Sequence, residues 1–122
     1  MHTRNLILFN EERSNPVIEA LEAAGYEVAR NVWQPTPAQL QRTMLAWVNF
    51  YDCPKRPLKI ARFRRLVNAH GVPIVAWNRD APSYKGRPAW RISLLGRIRP
   101  LDIYMGHSLA DGKCFGTEQL LL

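Results

Sequence analysis

The chain alternates short apolar runs with segments in which apolar residues recur every three or four positions. The first run, Leu6-Ile7-Leu8-Phe9, reads as a buried strand. A polar stretch follows, ending at Asn15 in an N-cap position with Pro16 at the first helical position. Val17, Ile18, Leu21 and Ala24 then share one helix face, and Gly25 ends the helix. Tyr26 to Trp33 is a second expected strand, with Val28 and Val32 inward, and Thr36 caps a short helix beginning at Pro37. Met44 to Tyr51 suits either an extension of that helix or a third strand. The aromatic and β-branched cluster and the nearby Pro54 favour a strand over Leu45 to Phe50.

From Pro57 to His70 the helical period is clear. Ile60, Phe63, Leu66 and Val67 form one apolar stripe, while Lys59, Arg62, Arg64 and Arg65 take the other faces. Gly71 terminates this helix and Val72 to Trp77 is the next buried strand. Arg87 to Ile98 reads as a further helix, with Trp90, Leu94 and Ile98 inward and Arg91 and Arg97 outward, stopped by Pro100. Leu101 to Met105 is a fifth strand. The terminal Leu120-Leu121-Leu122 suits a sixth strand at a sheet edge, or the start of a longer protein.

Strand–helix alternation implies right-handed βαβ units, and nearly all-apolar strands imply a sheet buried on both faces. The expected fold is therefore α/β: a Rossmann-like three-layer αβα sandwich with a five- or six-stranded, mostly parallel sheet. Residues 1–122 suit one such domain, either alone or as the N-terminal domain of a longer two-domain protein. Strand orders 3-2-1-4-5 and the flavodoxin-like 2-1-3-4-5 both remain open.

Composition narrows the setting. The chain is 47% hydrophobic, which argues against disorder, and no apolar run approaches a membrane span. Nothing at the N-terminus resembles a secretory signal, so a cytoplasmic protein is expected. Cys53 and Cys114 form no CxxC pair and have no histidine at ligand spacing, so both are expected to be reduced and structural, with no metal site and no cofactor.

Charge is uneven. Residues 55–99 hold twelve Lys or Arg and one acid, Asp80; the rest of the chain has five basic and nine acidic residues. A polyanion is the partner this segment suits, with Arg62, Arg65, Arg91 and Arg97 as its contacts. No aromatic residues interleave with these arginines as in a stacking platform, so base-specific readout gains no support.

Ligands of open α/β sheets bind beyond the carboxyl ends of the strands. Five loops qualify: 10–14, 33–36, 49–55, 78–84 and 106–111. No GxGxxG, P-loop, HExxH or GxSxG motif occurs in them. The richest is 77–86, where Trp77, Asn78, Arg79 and Asp80 follow a buried strand. If strands four and five are neighbours, His107 and Ser108 converge on it. Arg79 and a helix N-terminus near Arg87 suit an anionic group, and Asp80 or His107 suits a general base.

The segment Val72-Pro73-Ile74-Val75-Ala76-Trp77-Asn78-Arg79-Asp80-Ala81-Pro82, followed by Asp102-Ile103-Tyr104 and Gly106-His107-Ser108, resembles the N-terminal half of GT-B glycosyltransferases. The likeness is to the CgeB-like (spore-maturation glycosyltransferase-like) group. It implies an acceptor-side domain, inactive alone, that meets a glycan acceptor or nucleotide sugar once a second Rossmann-like domain supplies the donor. Two alternatives stand beside it: a basic α/β module for nucleic acid or another polyanion, and a degenerate receiver-like interaction domain. Glu11, Glu12 and Asp52 fit the acidic positions of a phospho-receiver. Asn78 and Gly106-His107 do not supply its Thr/Ser and Lys.

Overall fold

The computed structural model of the protein describes residues 4–11, 15–78, 97, 99–106 and 115–121. They build β1 (Leu6–Asn10), α1 (Asn15–Ala23), β2 (Glu27–Arg30), α2 (Pro37–Arg42), β3 (Thr43–Val48), α3 (Asp52–Lys55), α4 (Pro57–Asn68), β4 (Ile74–Trp77), β5 (Leu101–Gly106) and β6 (Gly116–Leu121). All strand pairings are parallel, and the sheet runs β2-β1-β3-β4-β5-β6. This is the α/β class expected, in the flavodoxin-like order with a sixth strand added at one edge. The segment ending in Leu120 and Leu121 is that edge strand.

The sheet is covered on both faces. On one, Leu6, Leu8, Ala46, Val48, Ile74 and Ala76 pack with Leu40 of α2 and Ile60, Phe63 and Val67 of α4. On the other, Ile7, Phe9, Trp47 and Val75 pack with Ile18 of α1. β1 is buried along its whole length, which explains its uninterrupted apolar run.

Local sequence accounts for the element ends. Thr36 Oγ1 accepts from Gln39 N–H at 3.2 Å and Gln39 Oε1 accepts from Thr36 N–H at 2.9 Å, a reciprocal capping box before Pro37. Gly25 and Gly71 take φ of +96° and +73°, the left-handed conformation that closes a helix at little cost only for glycine.

Several details differ from the periodic pattern. β2 stops at Arg30, so Val28 faces the α1 side whereas Val32, beyond the strand, packs on the opposite cluster. Leu66 is 38% exposed. The buried stripe of α4 is Ile60, Phe63 and Val67, and Leu66 lies about 100° away from Val67 around the helix.

Arg64 is not a solvated cation. Its Nε and Nη2 donate to Asp102 Oδ1 at 3.0 and 2.6 Å, and its Nη1 donates to Arg99 O at 2.5 Å. Asp102 Oδ2 also accepts from Asn68 Nδ2 and from Ile74 N–H, both at 2.8 Å. One carboxylate at the start of β5 thus ties α4 to the first residue of β4. The helix expected over 87–98 lies outside the described residues except for Arg97, which is helical and exposed.

Cys53 is a free, fully buried thiol, as expected of a structural cysteine; Cys114 lies outside the described residues. Burial, and secondarily the adjacent Asp52 carboxylate, push its pKa up. The folded protein therefore holds the proton more tightly than the unfolded chain. That contribution to stability is complete below the ordinary thiol range, about 8.5, and declines above it as the unfolded thiol ionises. Between pH 8 and 10, urea unfolding should show a stability loss steeper in the parent than in Cys53→Ala, by up to about 1.4 kcal/mol per pH unit. Equal slopes would show that burial does not hold the thiol proton.

Candidate functional site

β4 and β5 are adjacent and parallel, so their C-terminal ends lie side by side at the same edge of the sheet. Two residues of the expected site, Trp77 and Asn78, are described there. Asn78 is 1% exposed, its N–H donates to Met105 O at 2.7 Å, and its Nδ2 donates to Tyr104 Oη at 3.1 Å. Asn78 thereby fastens the end of β4 to β5. Trp77 is half-buried against the α1-side cluster beside Ile103 and Met105. Arg79, Asp80, His107 and Ser108 lie outside the described residues, as does Arg91.

Of the expected polyanion contacts, Arg62 and Arg65 are exposed on α4, and Arg97 is exposed. Arg62 and Arg65 border an open groove of about 410 Å³ with Leu58, Asn68 and Pro100. Arg64 lines it too, but its guanidinium is committed to Asp102.

A polar cleft lies elsewhere, where the chain order of the sheet reverses between β1 and β3. There the connections after β1 and after β3 leave toward opposite sides, opening a crevice at the strand ends. It has a volume of about 460 Å³, within the range of small-molecule sites. β1 supplies Phe9 and Asn10, followed by Glu11; the end of β2 supplies Arg30 and Asn31. The segment after β3 supplies Asn49 and Asp52, and the start of α4 supplies Arg56 and Lys59. Trp33 forms one wall.

Each wall is fixed by its own contacts. The Asn10 side chain acts as a second peptide group: Nδ2 donates to Val32 O at 2.9 Å and Oδ1 accepts from Val32 N–H at 2.7 Å. This clamps the β2 exit to the end of β1. Asn31 turns the chain at φ +56°, and its Oδ1 accepts from Trp33 Nε1 at 3.1 Å. Trp33 packs edge-on against Phe63 at 5.0 Å, and Lys59 Nζ sits 4.1 Å from its ring centre. Asn49 Oδ1 accepts from Tyr51 N–H at 3.0 Å, shaping the turn that carries Asp52. Glu11, buried at the floor, accepts from Trp47 Nε1 at 2.6 Å. The Asp52 carboxylate is half-buried and accepts no hydrogen bond among the described residues.

The cleft thus offers planar hydrogen-bonding groups, one carboxylate open to a ligand, and an aromatic wall. Such a set holds hydroxyls in two directions and covers an apolar ring face. Asp52 is placed to accept a proton from a bound hydroxyl. The loops at 10–14, 33–36 and 49–55 were among the five that qualified from sequence, but Arg30, Asn31, Arg56 and Lys59 were not singled out. The missing signal was strand order, which alone identifies the reversal point.

Among the described residues no group of three or more His, Cys, Asp or Glu is arranged to hold a metal, and no helix is long and apolar enough to cross a membrane. In comparisons with known proteins, no family model matches the chain, and no curated protein or solved structure matches it significantly.

Proposed function

We propose that this protein binds a polyhydroxylated ligand at the β1/β3 cleft and serves as the acceptor-side half of a glycosyltransferase-like enzyme. The observation that carries the reading is the lining itself. Amides, an open carboxylate and a fixed tryptophan converge at the reversal point of a flavodoxin-like sheet. Asp52 takes the role of base toward an acceptor hydroxyl, in place of the Asp80 or His107 expected from sequence. The receiver-like alternative shares this sheet order and both Glu11 and Asp52. Two features count against a phospho-receiver: the Glu11 carboxylate is engaged by Trp47, and Asn78 is engaged by Tyr104.

The test is an NMR titration with neutral mono- and oligosaccharides. Binding on the order of millimolar is expected for a few hydrogen bonds, with shifts centred on Asn31, Asn49 and Asp52. Asp52→Asn should weaken it roughly five- to tenfold, about 1–1.4 kcal/mol, without changing thermal stability. Shifts confined to Trp77, Asn78 and Gly106 would return the site to the β4/β5 loops. Shifts at Arg62 and Arg65 with heparin, and none here with sugars, would favour the polyanion reading.

A further inference from the structure

Among the described residues, the charges around this cleft do not balance locally. Of its two acids, Glu11 is buried and already bonded to Trp47 Nε1. Three cations stand at its rim: Arg30 at the end of β2, Arg56 at the N-cap of α4, and Lys59 in the first turn of that helix. The side chains of Arg30 and Arg56 make no hydrogen bond or ion pair with the described residues. Two guanidiniums from separate elements therefore border one crevice, neither of them committed to a described residue.

The helix itself adds to this imbalance. Helix N-termini carry positive dipole and favour Ser, Thr, Asp or Asn caps and acids in the first turn. α4 spans twelve residues, has no side-chain cap, and has no acid in its first turn. Arg56 and Lys59 instead place positive charge on the positive pole of the helix. Lys59 is also held in place, with its ammonium against the Trp33 ring rather than free in solvent. An anion seated between Arg30, Arg56 and Lys59 meets a helix start that no side chain caps and three positive charges together.

We infer that the ligand of this cleft is an anionic sugar, its phosphate or carboxylate held by Arg30, Arg56, Lys59 and the first turn of α4, with its hydroxyls toward Asn49 and Asp52. The inference rests on the sugar-binding reading of the same cleft and adds the charge of the ligand.

The full chain is titrated with glucose, glucose 6-phosphate, glucuronate and inorganic phosphate, following the amides of Asn31, Asp52, Leu58 and Lys59 by NMR. Both anionic sugars should bind at least tenfold more tightly than glucose, and the tighter of the two identifies phosphate or carboxylate as the natural group. The advantage should shrink on going from low salt to about 0.15 M. Arg30→Gln and Arg56→Gln should each remove most of it; both side chains are exposed, so the fold is unaffected. Equal binding of glucose and the anionic sugars overturns the anionic inference and leaves the sugar reading standing. Binding of inorganic phosphate with no response to any sugar supports the anion site and overturns the sugar reading. No response to any of the four, or full retention of the preference in both variants, overturns the inference.

Discussion

Replacing Asp102 by Ala is expected to cost about 2–4 kcal/mol, a loss of roughly 10 °C in Tm for a chain of this size. Its carboxylate accepts four hydrogen bonds, two from Arg64, one from Asn68 and one from the N–H of Ile74. The Arg64–Asp102 pair is only about one-fifth exposed on each side. Removing the acid leaves a mostly buried guanidinium with no counter-charge and only Arg99 O as acceptor, and the first N–H of β4 without one, which costs more than the pair contributes while intact. The distinction is testable. Arg64→Met combined with Asp102→Leu should recover part of the loss, because no charge is then left unpaired. A Tm for Asp102→Ala within about 2 °C of the parent would falsify the role assigned to this carboxylate.

The same residue shows how sequence patterns divide between fold and function. Asp102-Ile103-Tyr104 was one of the segments carrying the glycosyltransferase resemblance. In the structure Asp102 ties α4 to β4, and Tyr104 is buried and accepts from Asn78. Both of these side chains of the motif take part in holding the sheet together.

What could be read from sequence was local. The apolar run of β1, the Thr36 cap with Pro37, the glycines at 25 and 71 and the Pro57 start of α4 each declare themselves within a few residues. Strand order does not, because no local pattern encodes which strand lies beside β1. Either order buries the same apolar strands, so the reversal point, and with it the β1/β3 cleft, was out of reach. The Asn10–Val32 clamp and the Arg64–Asp102 pair join residues 22 and 38 positions apart; period and propensity carry no trace of such pairings. β6 was legible only through its end. Thr117, Glu118, Leu120 and Leu121 are all exposed on an edge strand, so no alternation of buried and open positions marks it.

Truncating Phe50 should have the largest single effect, about 3–5 kcal/mol for Phe50→Ala. The ring is 1% exposed and meets Tyr104 at 5.5 Å and Phe115 at 5.0 Å, both edge-on, a geometry that adds to its burial. It therefore anchors the end of β3 to β5 and to the entry of β6. Its chain neighbours connect this packing to the cleft. Asn49 and Asp52 flank it, and the turn they share is closed by Asp52 N–H donating to Asn49 O and Cys53 N–H donating to Phe50 O, both at 3.0 Å. Phe50→Leu keeps most of the apolar volume and loses the aromatic contacts, so it should fold with a smaller loss, about 1–2 kcal/mol. Because the turn then has a looser anchor, sugar binding in Phe50→Leu should weaken although the residue touches no ligand. Denaturant unfolding of both variants, with glucose 6-phosphate titration of the leucine variant, checks each step. A loss below about 1 kcal/mol in Phe50→Ala would mean the aromatic cluster does not hold this end of the sheet. Unchanged binding in Phe50→Leu would mean the cleft is positioned by the Asn10 clamp and α4 alone.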